Sequence, residues 1–156
     1  MKFKRANVNI ALLKYWGKKD QKINLPRQTS VSVTADLFYT RTNVTIDKKL
    51  KRDKVILDGK ELTGLQYTRV VQHLNIMRDY FKRDEYCVVT SINNVFIRAG
   101  YASSASSFAA LTAAYCAAVG EKLDEKELSR IARLGSGSAT RSIHGGFVIW
   151  HQGHDH

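Results

Sequence analysis

Proline is nearly absent from the chain, with one residue in 156, and cysteine is scarce, with two. That composition excludes a collagen-like or proline-rich polymer. With 44% hydrophobic residues it also argues against disorder, because that much apolar side chain can offset the entropy of ordering. No apolar run approaches the roughly 18 residues that read as a membrane span. Cys87 and Cys116 lie in apolar stretches without metal-ligand spacing and read as buried, reduced thiols of a cytoplasmic protein. The opening Met1-Lys2-Phe3-Lys4-Arg5 has no apolar core or cleavage site of a secretory leader. Internal repeats and low-complexity linkers are also missing, so residues 1–156 are expected to form one domain. Acidic side chains are few: 14, against 25 Lys and Arg, for a formal charge of +11. Such a surface attracts phosphates, nucleotides, nucleic acid or acidic membranes without choosing among them.

What is present reads first as strands. Val8, Ile10 and Leu12 form a period-two apolar set, and Val31, Val33 and Ala35 alternate with Ser32 and Thr34. Residues 38–46 are rich in β-branched and aromatic side chains, and Val55-Ile56-Leu57 runs into an Asp58-Gly59 turn. Leu62, Leu65, Val70, Leu74, Met77 and Phe81 then recur at helical intervals. Residues 86–92 predict another strand and 93–100 a loop. Residues 103–119 are small and apolar, predicting a buried helix that Gly120 stops. Asp124 with Glu127 makes a capping-box pattern for a third helix over 125–134. A Ser/Gly loop and a final strand, 146–150, follow. The order predicts an α+β fold with helices packed on one face of a mixed sheet.

Three segments can carry chemistry. Ala99-Gly100-Tyr101-Ala102-Ser103-Ser104-Ala105-Ser106-Ser107 leads into a helix, where small residues and free N–H groups can receive a phosphate. It is not a Walker loop, and close packing in a crowded core is the plain alternative. Gly135-Ser136-Gly137-Ser138-Ala139-Thr140-Arg141-Ser142 combines hydroxyls, free backbone and one cation able to grip a carboxylate or phosphate in two-pronged fashion. Read alone, it is a flexible turn with a solvated arginine. Asn9 through Lys18, ending Lys14-Tyr15-Trp16-Gly17-Lys18, can grip an anion or merely form a strand edge with snorkelling lysines.

Taken together, in this order and spacing, the three segments resemble the signatures of the diphosphomevalonate decarboxylases. These belong to the small-metabolite (GHMP) kinase superfamily, named for galactokinase, homoserine, mevalonate and phosphomevalonate kinases. The resemblance runs from about Asn7 to Gly153 and implies the N-terminal domain of that superfamily's fold. It implies a reaction in which mevalonate 5-diphosphate, with ATP and Mg2+, yields isopentenyl diphosphate, ADP, phosphate and carbon dioxide. ATP would be held by Asn93, Gly100, Ala102, Ser103, Ser104 and Ser106. The substrate would be held by Lys14, Tyr15, Lys18, Ser136, Ser138 and Arg141, with Tyr15 and Lys18 on its diphosphate and Arg141 on its carboxylate. Arg141 and Ser138 would carry the catalytic roles, in a self-associating cytoplasmic protein without a metal site of its own.

The sequence departs from the family pattern in places. Phe96, Ile97 and Arg98 stand where the family usually has proline, threonine and alanine, Tyr101 replaces an aliphatic residue, and His144 replaces an aromatic. The family's second domain, with its catalytic aspartate, is not represented in the 156 residues. His154 and His156 alternate as metal ligands do, but further ligands are missing and a frayed terminus is the plainer reading. Two other functions are compatible: a mevalonate 3-kinase or phosphomevalonate decarboxylase, and a non-catalytic basic domain that binds RNA or another polyanion. Dispersed lysines and arginines and the lack of a base-stacking platform weigh against the second.

Overall fold

The computed structural model describes residues 2–14, 16–94 and 103–153. Strand β1 (Lys4–Leu13) is followed by a short hairpin, β2 (Lys18–Asp20) and β3 (Leu25–Pro26), and then by β4 (Ser30–Ile46), 17 residues long. Next come β5 (Lys54–Leu57), β6 (Lys60–Glu61), helix α1 (Gly64–Phe81) and β7 (Cys87–Asn93). Helices α2 (Ser103–Val119) and α3 (Glu125–Gly135), a 3-10 turn (Gly137–Ser142) and β8 (Phe147–Trp150) complete the described chain. The main sheet runs β1-β4-β7-β5-β6, with β8 paired to β4, and it is mixed because β5 lies parallel to β7. This is the expected α+β architecture.

Two strand segments expected in residues 31–46 are one strand. Asn7 pairs with Tyr39 but Val8 with Ala35, so Asp36, Leu37 and Phe38 bulge out of the ladder. The polar break at Asp36 marks that bulge rather than a strand end. The same strand serves three partners: β1, then β8 through Ser30–Val33, then β7 through Thr40–Ile46.

The period-two alternation is real, but at this end of the sheet its apolar side faces out. Ser30 and Ser32 are fully buried, while Ile10, Leu12, Phe147 and Ile149 are exposed. The inner face here is covered by the 3-10 turn, which packs on β1 and β8 and presents polar groups. Ser30 and Asn9 satisfy those groups where valine cannot, whereas the Ser32 hydroxyl has no hydrogen-bond partner among the described residues.

Helix α2 lies across the sheet against β1 and β4. Ala105, Ala109, Ala110 and Ala114 let it approach closely, while Phe108, Leu111 and Tyr115 fill the core with Leu74, Met77 and Ile131. Gly120, at φ 80°, ends it in the left-handed conformation. The stripe on α1 buries Leu74 and Met77, but Leu65 is 77% exposed. It lies five residues before Val70, about 140° around the helix, and so points to solvent. Asp124 caps α3 by accepting from the Glu127 N–H at 2.8 Å. The Glu127 carboxylate instead binds Tyr80 and Arg130, so the capping box is half formed. Arg78 of α1 pairs with buried Asp53, which also accepts the Cys87 N–H at 3.0 Å. That cluster fixes α1 to the start of β7.

Candidate active site

The fold brings the end of α3, the 3-10 turn and the first turns of α2 together, and one glycine makes this possible. A Cβ at Gly135 would collide with the Phe108 ring of α2 and fall 2.7 Å from His73 Nδ1 of α1. Thr112 donates its hydroxyl proton to the Phe108 carbonyl at 2.8 Å, so the 2.8 Å contact to His73 Nε2 has the histidine as donor. Burial holds the His73 imidazole down to about 4. A neutral ring stacked edge-on against Phe108 at 5.2 Å therefore joins the three helices directly beneath the turn.

The 3-10 turn begins at Gly137 and carries Arg141 inward. Arg141 is 3% exposed, which corrects the reading of a solvated arginine on a flexible turn. The Arg141 guanidinium donates to Ser30 Oγ at 2.5 Å and to Asn9 Oδ1 at 3.3 and 3.4 Å, and it lies 5.9 Å from the Trp150 ring centroid. The Asn9 amide in turn donates to Ser138 O at 3.0 Å and to Ser142 Oγ at 2.7 Å. The turn is thus sewn to β1 and β4, and its cation is held in a fixed orientation. Such charge-assisted bonds fix a guanidinium for planar, two-pronged recognition. Ser136 and Ser138 lie half-buried on the same turn, with their hydroxyls 3.3 Å apart.

The nucleotide candidates are built differently. Thr40 donates to Asn93 Oδ1 at 2.6 Å, so Ser106, 2.8 Å away, donates to Thr40 Oγ1. Ser106 is fully buried and ties the first turns of α2 to β4 rather than offering its hydroxyl to solvent. Ser104 is half-buried on the first turn of α2, which holds no acidic side chain. Gly100, Ala102 and the Ser103 side chain lie outside the described residues, as do Phe96, Ile97, Arg98 and Tyr101.

Lys14 and Lys18 are exposed, Lys18 on β2; Tyr15 lies outside the described residues. The β2–β3 hairpin itself was not legible as such. It is anchored by buried Leu25 and Pro26 and by Asn24. The structure gathers Ser136, Ser138 and Arg141 in one turn and joins Asn93 to Ser106. It does not bond Lys18 to either group. Three cavities are outlined by described residues: about 60 Å³ lined by Val55, Leu57, Val70 and Phe108, about 430 Å³ at the end of α2, and about 230 Å³ beside Arg5, Asn7 and His144. None of the three is shared by Ser104, Lys18 and Arg141.

Sequence reasoning passed over Ser30 and Thr40, and it gave Asn9 no role of its own within the Asn9–Lys18 segment. No common ladder pattern marks them, since Asn9 pairs with Thr34, Thr40 with Ala6 and Asn93, and Ser30 with Trp150. Among the described residues no three His, Cys, Asp or Glu side chains gather as a metal site; His154 and His156 lie outside those residues.

Residues 6–156 match the family model described as the diphosphomevalonate decarboxylase-like N-terminal domain. Diphosphomevalonate decarboxylase of Ganoderma lucidum is 41% identical over 95% of this chain and 40% of its own length. A structure of mevalonate diphosphate decarboxylase from Enterococcus faecalis, described by its mevalonate diphosphate-mediated ATP binding mechanism, superposes with a TM-score of 0.94. It is 46% identical, over 98% of this chain and 48% of that one. A structure described as MDDEF in complex with MVAPP, AMPPCP and magnesium matches equally, at 0.94 and 46%, over 98% of this chain and 47% of that one. The chain therefore spans about two fifths of the length of the curated relatives it matches.

Proposed function

The chain belongs to the diphosphomevalonate decarboxylase-like N-terminal domain family, and from that premise we propose that it supplies the substrate- and nucleotide-binding half of an ATP-dependent decarboxylation. Mevalonate 5-diphosphate and ATP are converted to isopentenyl diphosphate, ADP, phosphate and carbon dioxide. The observation that carries this reading is the buried Arg141, oriented by Asn9 and Ser30 within a turn rich in hydroxyls.

In this reading Arg141 grips the substrate carboxylate. Its rigid partners hold the guanidinium in place before the ligand arrives, so little reorganisation accompanies binding. Ser136 and Ser138 donate to the substrate from the same turn, and Ser138 sits where its backbone carbonyl is already held by Asn9. Lys18, with Tyr15 and Lys14, meets the diphosphate. ATP suits the start of α2: hydroxyl side chains, a helix N-terminus and no carboxylate in the first turn favour phosphates. Asn93 and Ser106, linked through Thr40, hold that end of α2 against the sheet. Mg2+, which supplies charge neutralisation when bound, fits as a passenger on the nucleotide phosphates, since the described residues gather no carboxylate cage. These roles leave the general base of the reaction unassigned.

The test is a calorimetric comparison of mevalonate, its 5-phosphate and its 5-diphosphate. The diphosphate is expected to bind tightest, and equal affinities would overturn the role of Lys18. Turnover with the 5-phosphate or with mevalonate in preference would replace this reading by the related decarboxylase or 3-kinase. RNA binding without response to either ATP or substrate would replace it by a polyanion-binding domain.

The free, buried Cys87 and Cys116 support a cytoplasmic setting. Self-association is part of the reading as well. In the ladder, Ile10, Val33 and Phe147 stand side by side, as do Leu13, Val31 and Ile149, giving an exposed apolar face suited to burial against another surface. Light scattering at tens of micromolar is expected to show more than a monomer, and a clean monomer would contradict this part.

A further inference from the structure

The hairpin and the 3-10 turn belong to distant parts of the sequence, yet one side chain bridges the elements that carry them. Asn24 closes the β2–β3 turn with φ at 51°, a left-handed conformation that asparagine tolerates better than most residues. Its amide donates to Arg133 O at 2.8 Å and to Leu134 O at 3.2 Å. These are carbonyls of the last turn of α3, where intrahelical donors run out and an outside donor is needed. Two residues past Leu134 the chain enters Ser136 and the turn that carries Ser138 and Arg141. On the other side, Asp20 and Leu25 pair across the hairpin, as do Lys18 and Pro26. The Asp20 carboxylate accepts the Lys22 N–H at 2.7 Å, so the turn that presents Asn24 is itself ordered.

We propose that Asn24 is a positioning residue that sets the distance between the Lys18 hairpin and the Ser136–Arg141 turn, and so between the two ends of the bound substrate. This rests on the substrate reading given above. The spacing matters because hydrogen bonds and ion pairs to a ligand held at both ends weaken once either set of donors is displaced. Nothing else in the hairpin reaches α3 through a side-chain hydrogen bond among the described residues. The first turns of α2, proposed for the nucleotide, are tied to β4 through Ser106 and Thr40, a contact that does not involve Asn24.

Asn24→Gly keeps the left-handed backbone and removes the donor. Asn24→Asp also keeps the backbone but places a carboxylate against two carbonyls. Calorimetry on this chain is expected to give an affinity for mevalonate 5-diphosphate that is about tenfold weaker in the glycine variant, the scale of two lost hydrogen bonds. The aspartate variant is expected to be weaker still, with the affinity for an ATP analogue unchanged in both. A merely structural role would lower both affinities together, and that result, or wild-type substrate affinity in Asn24→Gly, overturns the proposal. Hydrogen exchange of the ligand-free protein gives an independent readout. Asn24→Gly is expected to speed exchange at residues 18–24 and at 136–142 alike, and acceleration confined to the hairpin overturns the coupling. If the unmodified chain binds no mevalonate 5-diphosphate, the substrate reading fails by itself, while the exchange experiment still decides whether Asn24 joins the two segments.

Discussion

Arg141 is the residue on which most depends. Removing its guanidinium takes away charge-assisted bonds to a ligand, and Arg141→Ala is expected to lower kcat/KM for decarboxylation about 10- to 100-fold in a protein that turns over. Arg141→Lys should recover little of it, because an ammonium cannot reproduce the fork that binds Asn9 and Ser30 while facing a carboxylate. Steady-state assays of both variants check this, and full activity in the lysine variant would contradict it. The residue types at the site were legible from the sequence, since a Gly/Ser stretch with one arginine already suggests anion recognition. The burial of Arg141 was not. It comes from Asn9 and Ser30, 132 and 111 residues away along the chain, and no local pattern announces such a partner.

At the scale of elements, α3 ends where Gly135 allows it to. Gly135→Ala places a methyl against Phe108 and His73, both buried, and is expected to destabilise the protein by about 1–3 kcal/mol, the usual cost of overpacking. Thermal unfolding measures it. The pair between Asp53 and Arg78 gives a second check on how α1 is fixed. Asp53→Ala leaves a buried guanidinium without its carboxylate and is expected to cost about 3–5 kcal/mol, read from a denaturant titration. The three helices were legible almost to their ends, because small-residue content, a left-handed glycine stop and an aspartate cap are local signals. The β2–β3 hairpin was hidden, as its two and three residues are too short for periodicity and it is held by Asn24 and buried Leu25 rather than by propensity. The strand patterning gave the correct period but the opposite face at Ser30–Val33, because the inner surface there serves a polar site instead of an oily core.

For the whole molecule, His73 links folding to pH. Its folded-state value of about 4 lies below the ordinary 6.5, so between those values the unfolded chain binds a proton that the folded chain does not. Stability is unaffected by this group above about pH 7, falls as pH drops through 6.5 toward 4, and levels off below that, with a total loss of up to about 3 kcal/mol. Denaturant titrations at pH 7.5 and 4.5 test it, and His73→Gln should flatten the difference. The charge of +11 acts at longer range, favouring a polyanionic substrate with an affinity that weakens as salt screens it. Whether the dispersed parts of the site act as one is decided most directly by the crystal structure of this chain with mevalonate 5-diphosphate bound. The account predicts the carboxylate within hydrogen-bonding distance of Arg141 and the diphosphate beside Lys18. A ligand seated elsewhere, with Arg141 bonded only to Asn9 and Ser30, would contradict it.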